Sequence, residues 1–205
     1  MKNVLLFLAQ GFEEYEASVF TDVLGWSGSY GFEPLNLVTV GLRIPVHGAW
    51  NFVVTPDSHL DEIARLEFDA LAIPGGMRRK GFYEDAYDER FLDLIREFNH
   101  QEKVIASVCV GALPIGKSGA LQNRTGTTYF GNGRKRQQQL REFGVIVQDK
   151  AIVVDHNIIT STSPATALDV AFQLLEMLTS QANMLKVKEG MGFIPETVPM
   201  KAEYC

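Results

Sequence analysis

The chain has 205 residues, of which 46% are hydrophobic and 21% charged, with a formal net charge of −6. That length suffices for one domain with a substantial core, and the acidic balance excludes a nucleic-acid surface. Two cysteines, one of them the last residue, exclude a disulfide framework or zinc spacing, and the opening apolar run is too short for a signal peptide or membrane span, so the expectation is a cytoplasmic protein with no metal, no cofactor, no nucleic acid and no membrane partner.

Residues 4–9 are continuously apolar and predict a buried first strand. After Gln10-Gly11 come Phe12-Glu13-Glu14-Tyr15-Glu16. Three carboxylates in four residues suit a first helical turn, where they complement the helix dipole. The functional alternative is that one of them points across the sheet edge toward a reactive group. Residues 17–30 have helical periodicity, with Phe20, Val23, Leu24 and Ser27 on one side and Gly31 as the stop. Residues 35–40 read as the second strand. Residues 44–47 and 52–55 read as a short hairpin around Gly48, stopped by Pro56-Asp57-Ser58, and 60–66 as a short helix.

Residues 68–73 form another buried strand that runs into Pro74-Gly75-Gly76. Glycines here let the backbone approach a ligand and aim N–H groups at an anion, although an ordinary tight turn uses them as well. Arg78, Arg79 and Lys80 follow, as a solvated loop or an attraction for an anionic substrate. Residues 88–101 are an amphipathic helix with Phe91, Leu94, Ile95 and Phe98 on its inner face.

The stretch Val104-Ile105-Ala106-Ser107-Val108-Cys109-Val110-Gly111 is a buried strand that turns into the apolar segment 112–117 and stops at Ser118-Gly119. Cys109 stands at the turn, with small residues Ser107 and Gly111 two positions away on either side. That is the pattern of a nucleophile elbow, in which a tight turn holds the nucleophile at the carboxyl edge of the sheet. Free N–H groups at a helix start favour a thiolate, which leads to the expectation that Cys109 is ionised at neutral pH. The plain alternative is a small core residue, as most free cysteines are.

Residues 124–128 predict a short strand and 131–143 a polar helix, whose Arg134-Lys135-Arg136 reads as a solvated face. Residues 145–147, 151–154 and 158–161 predict short strands, and Ser163-Pro164 caps a helix with the core stripe Leu168, Ala171, Phe172, Leu175 and Leu178. Residues 1–180 form a single α/β domain, and 181–205 a weakly patterned extension packing on it or on a partner subunit. Alternating strands and helices imply a three-layer sandwich with a mostly parallel sheet. Ligands bind such sheets at the carboxyl ends of the strands, the edge that holds Glu13 to Glu16, Gly75-Gly76 and Cys109.

Gly111-Ala112-Leu113-Pro114-Ile115-Gly116-Lys117-Ser118 matches the phosphate-loop pattern and would imply a nucleotide-binding protein. Its interior is too apolar for a loop around phosphates, no long helix follows Lys117-Ser118, and no buried strand ends in a magnesium-binding aspartate. That reading is set aside.

The acidic run at 11–16, Ile73-Pro74-Gly75-Gly76, the elbow at 107–111 and the Thr160-Ser161 to Thr166 stretch together resemble the ThiJ/PfpI family, the DJ-one superfamily of amidotransferase-like proteins. The resemblance covers about residues 2–180. It implies a flavodoxin-like α/β sandwich, a homodimer, Cys109 as nucleophile, Glu16 as the group bonded to its sulfur, and an oxyanion site made by backbone N–H groups at Gly75, Gly76 and Val110. With Glu16 in that place, a protonated carboxyl donating to the thiolate is expected. Arg78 and Tyr129 are candidate lining residues. Two departures limit what carries over. Val110 stands where peptidases of the family have a histidine, and Tyr129 where many glyoxalase-like members have one. His47, His59, His100 and His156 read as surface or satisfied residues, so no Cys–His–Asp triad is expected. The expected function is a thiol-based redox or stress protein acting on an oxidant, or a glyoxalase- or deglycase-like enzyme acting on a small carbonyl substrate. A PfpI-type amide or peptide hydrolase is the alternative.

Overall fold

The computed structural model describes residues 1–63, 67–131 and 133–193. Its main sheet has seven described strands in the order β10-β11-β7-β6-β1-β2-β5. These are β1 (Lys2–Phe7), β2 (Leu35–Gly41), β5 (Ser58–His59), β6 (Ala70–Ile73), β7 (Val104–Ser107), β10 (Ile152–Asp155) and β11 (Ile158–Ser161). All neighbouring pairs are parallel except the β10–β11 hairpin. Two small ribbons stand outside the sheet: β3 (Val46–His47) with β4 (Val53–Val54), and β8 (Thr125–Gly126) with β9 (Ile146–Val147).

The layering follows from the period of two along a strand. In β1, Val4 and Leu6 face a core shared with Phe20, Val23, Phe172 and Leu175. Leu5 and Phe7 face the opposite core, with Phe91, Leu94 and Phe98. The first core is covered by α1 (Glu14–Tyr30), α6 (Ala167–Leu178) and α7 (Gln181–Gly190), and the second by α3 (Glu89–His100) and α4 (Ala112–Ser118), with α2 (Phe82–Ala86) before α3 and α5 (Lys135–Glu142) beside α4. A strand buried on both faces reads as an unbroken apolar run, as 4–9 does. This is the flavodoxin-like three-layer sandwich expected from the sequence. No helix among the described residues is long and apolar enough to cross a membrane.

Four local expectations are corrected. Ser58 and His59 do not merely end the hairpin. They pair with Val40 and Gly41 as an edge strand, fastened by Asp57 accepting from the Thr39 N–H and hydroxyl at 2.8 and 2.7 Å. Of the predicted helix at 60–66, Leu60–Glu62 form a 3-10 turn that Ile63 leaves in an extended conformation, and residues 64–66 lie outside the described residues. The polar helix begins only at Lys135, after Arg134 in the left-handed region at φ 62°. The extension starts with a regular helix, α7, against α1 and α6. Its anchor is polar, which apolar periodicity does not reveal. Buried Asn183 accepts from the N–H groups of Phe32 and Glu33 at 2.6 and 3.0 Å and donates to the Glu33 carbonyl at 3.1 Å.

The phosphate-loop pattern at 111–118 is helix. Residues 112–116 are all buried, and Gly116 leaves room for Leu140 and Phe143. No loop exists there to cradle phosphates.

Candidate active site

The chain passes from β1 to β2 on one side of the sheet and then to β6 and β7 on the other. The carboxyl ends of β1 and β6 therefore flank a topological switch point, where open α/β sheets bind ligands. The loops after these strands are tied together. Glu13 N–H donates to the Gly75 carbonyl and Met77 N–H to the Gly11 carbonyl, each at 2.9 Å.

The three carboxylates after β1 divide their tasks. Glu14 Oε1 accepts from the N–H groups of Trp50 and Phe52 at 2.7 and 3.3 Å and so holds the loop of the β3–β4 hairpin. Glu13 Oε1 accepts from the Trp50 indole at 2.8 Å. Glu16, in the first turn of α1, is fully buried and turns toward β6. Its Oε2 accepts from Gly75 N–H at 2.6 Å, while Oε1 has no hydrogen-bond partner among the described residues.

The elbow at the end of β7 is present in the backbone. Cys109 has φ 55°, a left-handed conformation that costs a side-chain-bearing residue roughly 1–2 kcal/mol. It is held from several sides. Val108 N–H donates to the Ile73 carbonyl at 3.1 Å, Gly111 N–H to the Val108 carbonyl at 2.8 Å, and the Thr128 hydroxyl to the Cys109 carbonyl at 2.8 Å. The turn needs glycine at 111, because a Cβ there would lie 2.5 Å from the Ile73 carbonyl oxygen. Gly75 is confined in the same way. A Cβ would lie 2.8 Å from Glu16 Oε2 and 3.1 Å from the Cys109 Cβ. These clearances place the carboxyl and Cys109 against the same bare peptide, and the Glu16 carboxyl is hydrogen-bonded to the thiol.

The thiol opens into a cavity of about 580 Å³, whose walls include Glu16, Gly76, Arg78, Val110 and Tyr129. Every one of these was singled out in the sequence. Gly75 plays a different part from the one expected, since its N–H is occupied by Glu16. Val110 N–H bonds the Cys109 sulfur itself. Gly76 contributes to the cavity wall. None of the four histidines lines the cavity. Tyr129 does, its ring stacked on Phe130 and folded over Gly131, where a Cβ would lie 2.3 Å from its hydroxyl. Sequence reasoning missed Trp50, Tyr83 and Arg136, which also line it. Arg136 was read as a solvated charge, and nothing local separates that role from a cavity wall.

Burial raises the Glu16 carboxyl to about 8, against a weaker lowering by Gly75 N–H. At neutral pH it is protonated, as expected. Burial also pushes the Cys109 thiol up, the Glu16 charge adds to this whenever that group is ionised, and Val110 N–H pulls the other way. The expectation of a thiolate at neutral pH is thus corrected. The two groups share one low-dielectric site, and two negative charges cannot coexist there cheaply. Glu16 is the member that ionises first, and its charge then holds the thiol proton in place.

A sequence profile of the DJ-1/PfpI family matches residues 2–177. The chain belongs to the DJ-1/PfpI family. Among its relatives in the DJ-1/PfpI family, Drosophila melanogaster protein DJ-1alpha is 30% identical over 93% of this chain and 83% of that protein. Pyrococcus furiosus deglycase PfpI is 29% identical over 58% of this chain and 68% of its own length. Pseudomonas putida isonitrile hydratase is 28% identical over 74% and 63%. Among solved structures, Drosophila melanogaster DJ-1beta superposes with a TM-score of 0.81 at 27% identity, over 93% of this chain and 97% of that one. Schizosaccharomyces pombe DJ-1 does so with a TM-score of 0.77 at 26% identity, over 95% and 100%.

Proposed function

We propose that this protein is a cysteine enzyme acting on small carbonyl compounds, with Cys109 as nucleophile and Glu16 as its proton partner. The observation that carries this reading is the pairing of a strained, cavity-facing Cys109 with a buried carboxyl raised to about 8. A proton-transfer group works best when it titrates near the working pH, and Glu16 meets that condition without a histidine. The names of the PfpI deglycase and isonitrile hydratase relatives support chemistry on small electrophiles.

The step balances as follows. The Cys109 sulfur forms a bond to the carbonyl carbon while the carbonyl π pair moves onto oxygen. Glu16, protonated at neutral pH, gives its own proton to that oxygen and takes the thiol proton in exchange, so the carboxyl ends the step neutral. The net transfer is one proton from sulfur to oxygen, giving a hemithioacetal. The Gly76 side of the cavity faces the developing oxyanion.

A second reading shares the site. An unpartnered Glu16 Oε1–H would donate to an oxygen placed on the sulfur by peroxide, which fits a redox role. A peptidase reading lacks a histidine base.

Incubation with a small 2-oxoaldehyde should place an adduct on Cys109, detected by mass spectrometry, and consume the aldehyde. Cys109→Ser should abolish both, and Glu16→Leu should slow consumption at least about tenfold. An unmodified Cys109 with undiminished turnover in Cys109→Ser would overturn the assignment.

A further inference from the structure

The cavity that holds Glu16 and Cys109 is also lined by polar groups that the carbonyl chemistry leaves unused. The Tyr83 hydroxyl is buried and has no hydrogen-bond partner among the described residues. Burial holds this phenol at about 12, so it remains a donor throughout the physiological range. The Arg136 guanidinium lies over the Tyr83 ring, 5.0 Å from its centroid. Arg136 is half-buried, yet its hydrogen bond is to a neutral group, the Gln139 Oε1 at 2.9 Å. Its neighbour in sequence behaves otherwise: Arg134 is exposed and paired with Asp149 at 2.7 Å. Arg78 stands at the rim of the same cavity, and its charge, like those of Arg136 and Cys109, reaches the Tyr83 hydroxyl.

The charges around this cavity do not cancel. Arg79 lies over the Trp50 ring at 5.7 Å, and that indole is bonded to Glu13, so this cation and anion offset each other. Glu16 is neutral at pH 7. Arg136 and Arg78 are left without a carboxylate at ion-pair distance among the described residues. A partly desolvated guanidinium over the ring of a tyrosine whose buried hydroxyl is unpartnered is costly unless an anion completes both groups. A planar guanidinium beside a donor hydroxyl matches a carboxylate or phosphate. The volume, about 580 Å³, exceeds what a two- or three-carbon aldehyde fills.

We infer that the cavity takes small carbonyl compounds bearing an anionic group, a carboxylate or phosphate, bound between the Arg136 guanidinium and the Tyr83 hydroxyl with the carbonyl directed at Cys109. The carbonyl half of this assignment rests on the function proposed above; the anion half does not.

The test separates them. Protection of Cys109 from iodoacetamide is compared for succinic semialdehyde and butanal, which match in length, and for glyceraldehyde with and without a 3-phosphate. The anionic member of at least one pair should protect at a concentration at least tenfold lower, and the pair that shows this identifies the anion. Arg136→Gln and Tyr83→Phe should each remove most of that advantage, and Arg134→Gln, on the same helix, none of it. Tyr83→Phe deletes only an unpartnered hydroxyl, so its urea midpoint should not fall and it remains informative should Arg136→Gln fold poorly. Calorimetry of succinate and inorganic phosphate with Cys109→Ser reads the anion site without any thiol chemistry. Saturable binding that Tyr83→Phe weakens supports the site even where Cys109 forms no adduct. Equal protection by charged and neutral aldehydes, or no binding of either anion to Cys109→Ser, would overturn the inference.

Discussion

Glu16 is the residue on which the local electrostatics turn. Its carboxyl is fully buried and raised to about 8, whereas in the unfolded chain it titrates near 4.5. Between those values the folded state holds a proton that the unfolded state has lost. The neutral carboxyl's contribution is thus fully present below about pH 4.5 and is lost as pH rises through about 8. Glu16→Gln removes the titration while keeping the size of the side chain. Its urea midpoint should match wild type at pH 5 and exceed it at pH 9, by on the order of a few kcal/mol. A wild-type-to-variant difference that stays constant over that range would show that Glu16 is already ionised at neutral pH. Cys109 shows the complementary cost, a left-handed backbone retained because Ile73, Val108 and Thr128 all hold it. Strain kept by so many bonds at a sheet's carboxyl edge is what a functional site looks like.

At the scale of elements, α7 and the 112–118 segment illustrate opposite limits of pattern reading. The phosphate-loop pattern is a true match in letters, but the apolar residues within it were already at odds with a solvated loop, and they form the buried helix α4. Helix α7 has little apolar periodicity and is fixed instead by Asn183, which satisfies three backbone groups of the α1–β2 connection. Asn183→Ala would leave the Phe32 and Glu33 N–H groups unpaired in a partly buried place. It should lower stability by about 2 kcal/mol in chemical denaturation. An unchanged midpoint would mean that the helix docks without this anchor.

At the scale of the molecule, the β3–β4 hairpin presents Trp50, Phe52 and Val53 at 52, 68 and 57% exposure beside one another. Next to it a second, largely apolar cavity of about 420 Å³ is lined by Leu6, Phe12, Phe52 and Val54. An exposed apolar patch of this kind marks an interaction surface. We expect a homodimer through this face, with light scattering at micromolar concentration giving twice the 22.8 kDa chain mass. Phe52→Glu with Val53→Glu should return the mass to that of one chain; a wild-type protein of 22.8 kDa would refute the dimer.

By itself the sequence determined the layered α/β architecture, because unbroken apolar runs and amphipathic helices state which faces are buried wherever the neighbours lie. It also determined the elbow and the acidic run, since a tight turn needs small residues at 107 and 111 and a helix start favours carboxylates. Tertiary structure alone decided which of three glutamates turns inward, that Gly75 serves Glu16 and not an oxyanion, and that Arg136 faces a cavity while Arg134 faces water. It also decided the protonation of the Cys109–Glu16 pair. Those outcomes depend on desolvation and on distances between segments far apart in the chain, and neither quantity is carried by the order of residues along it.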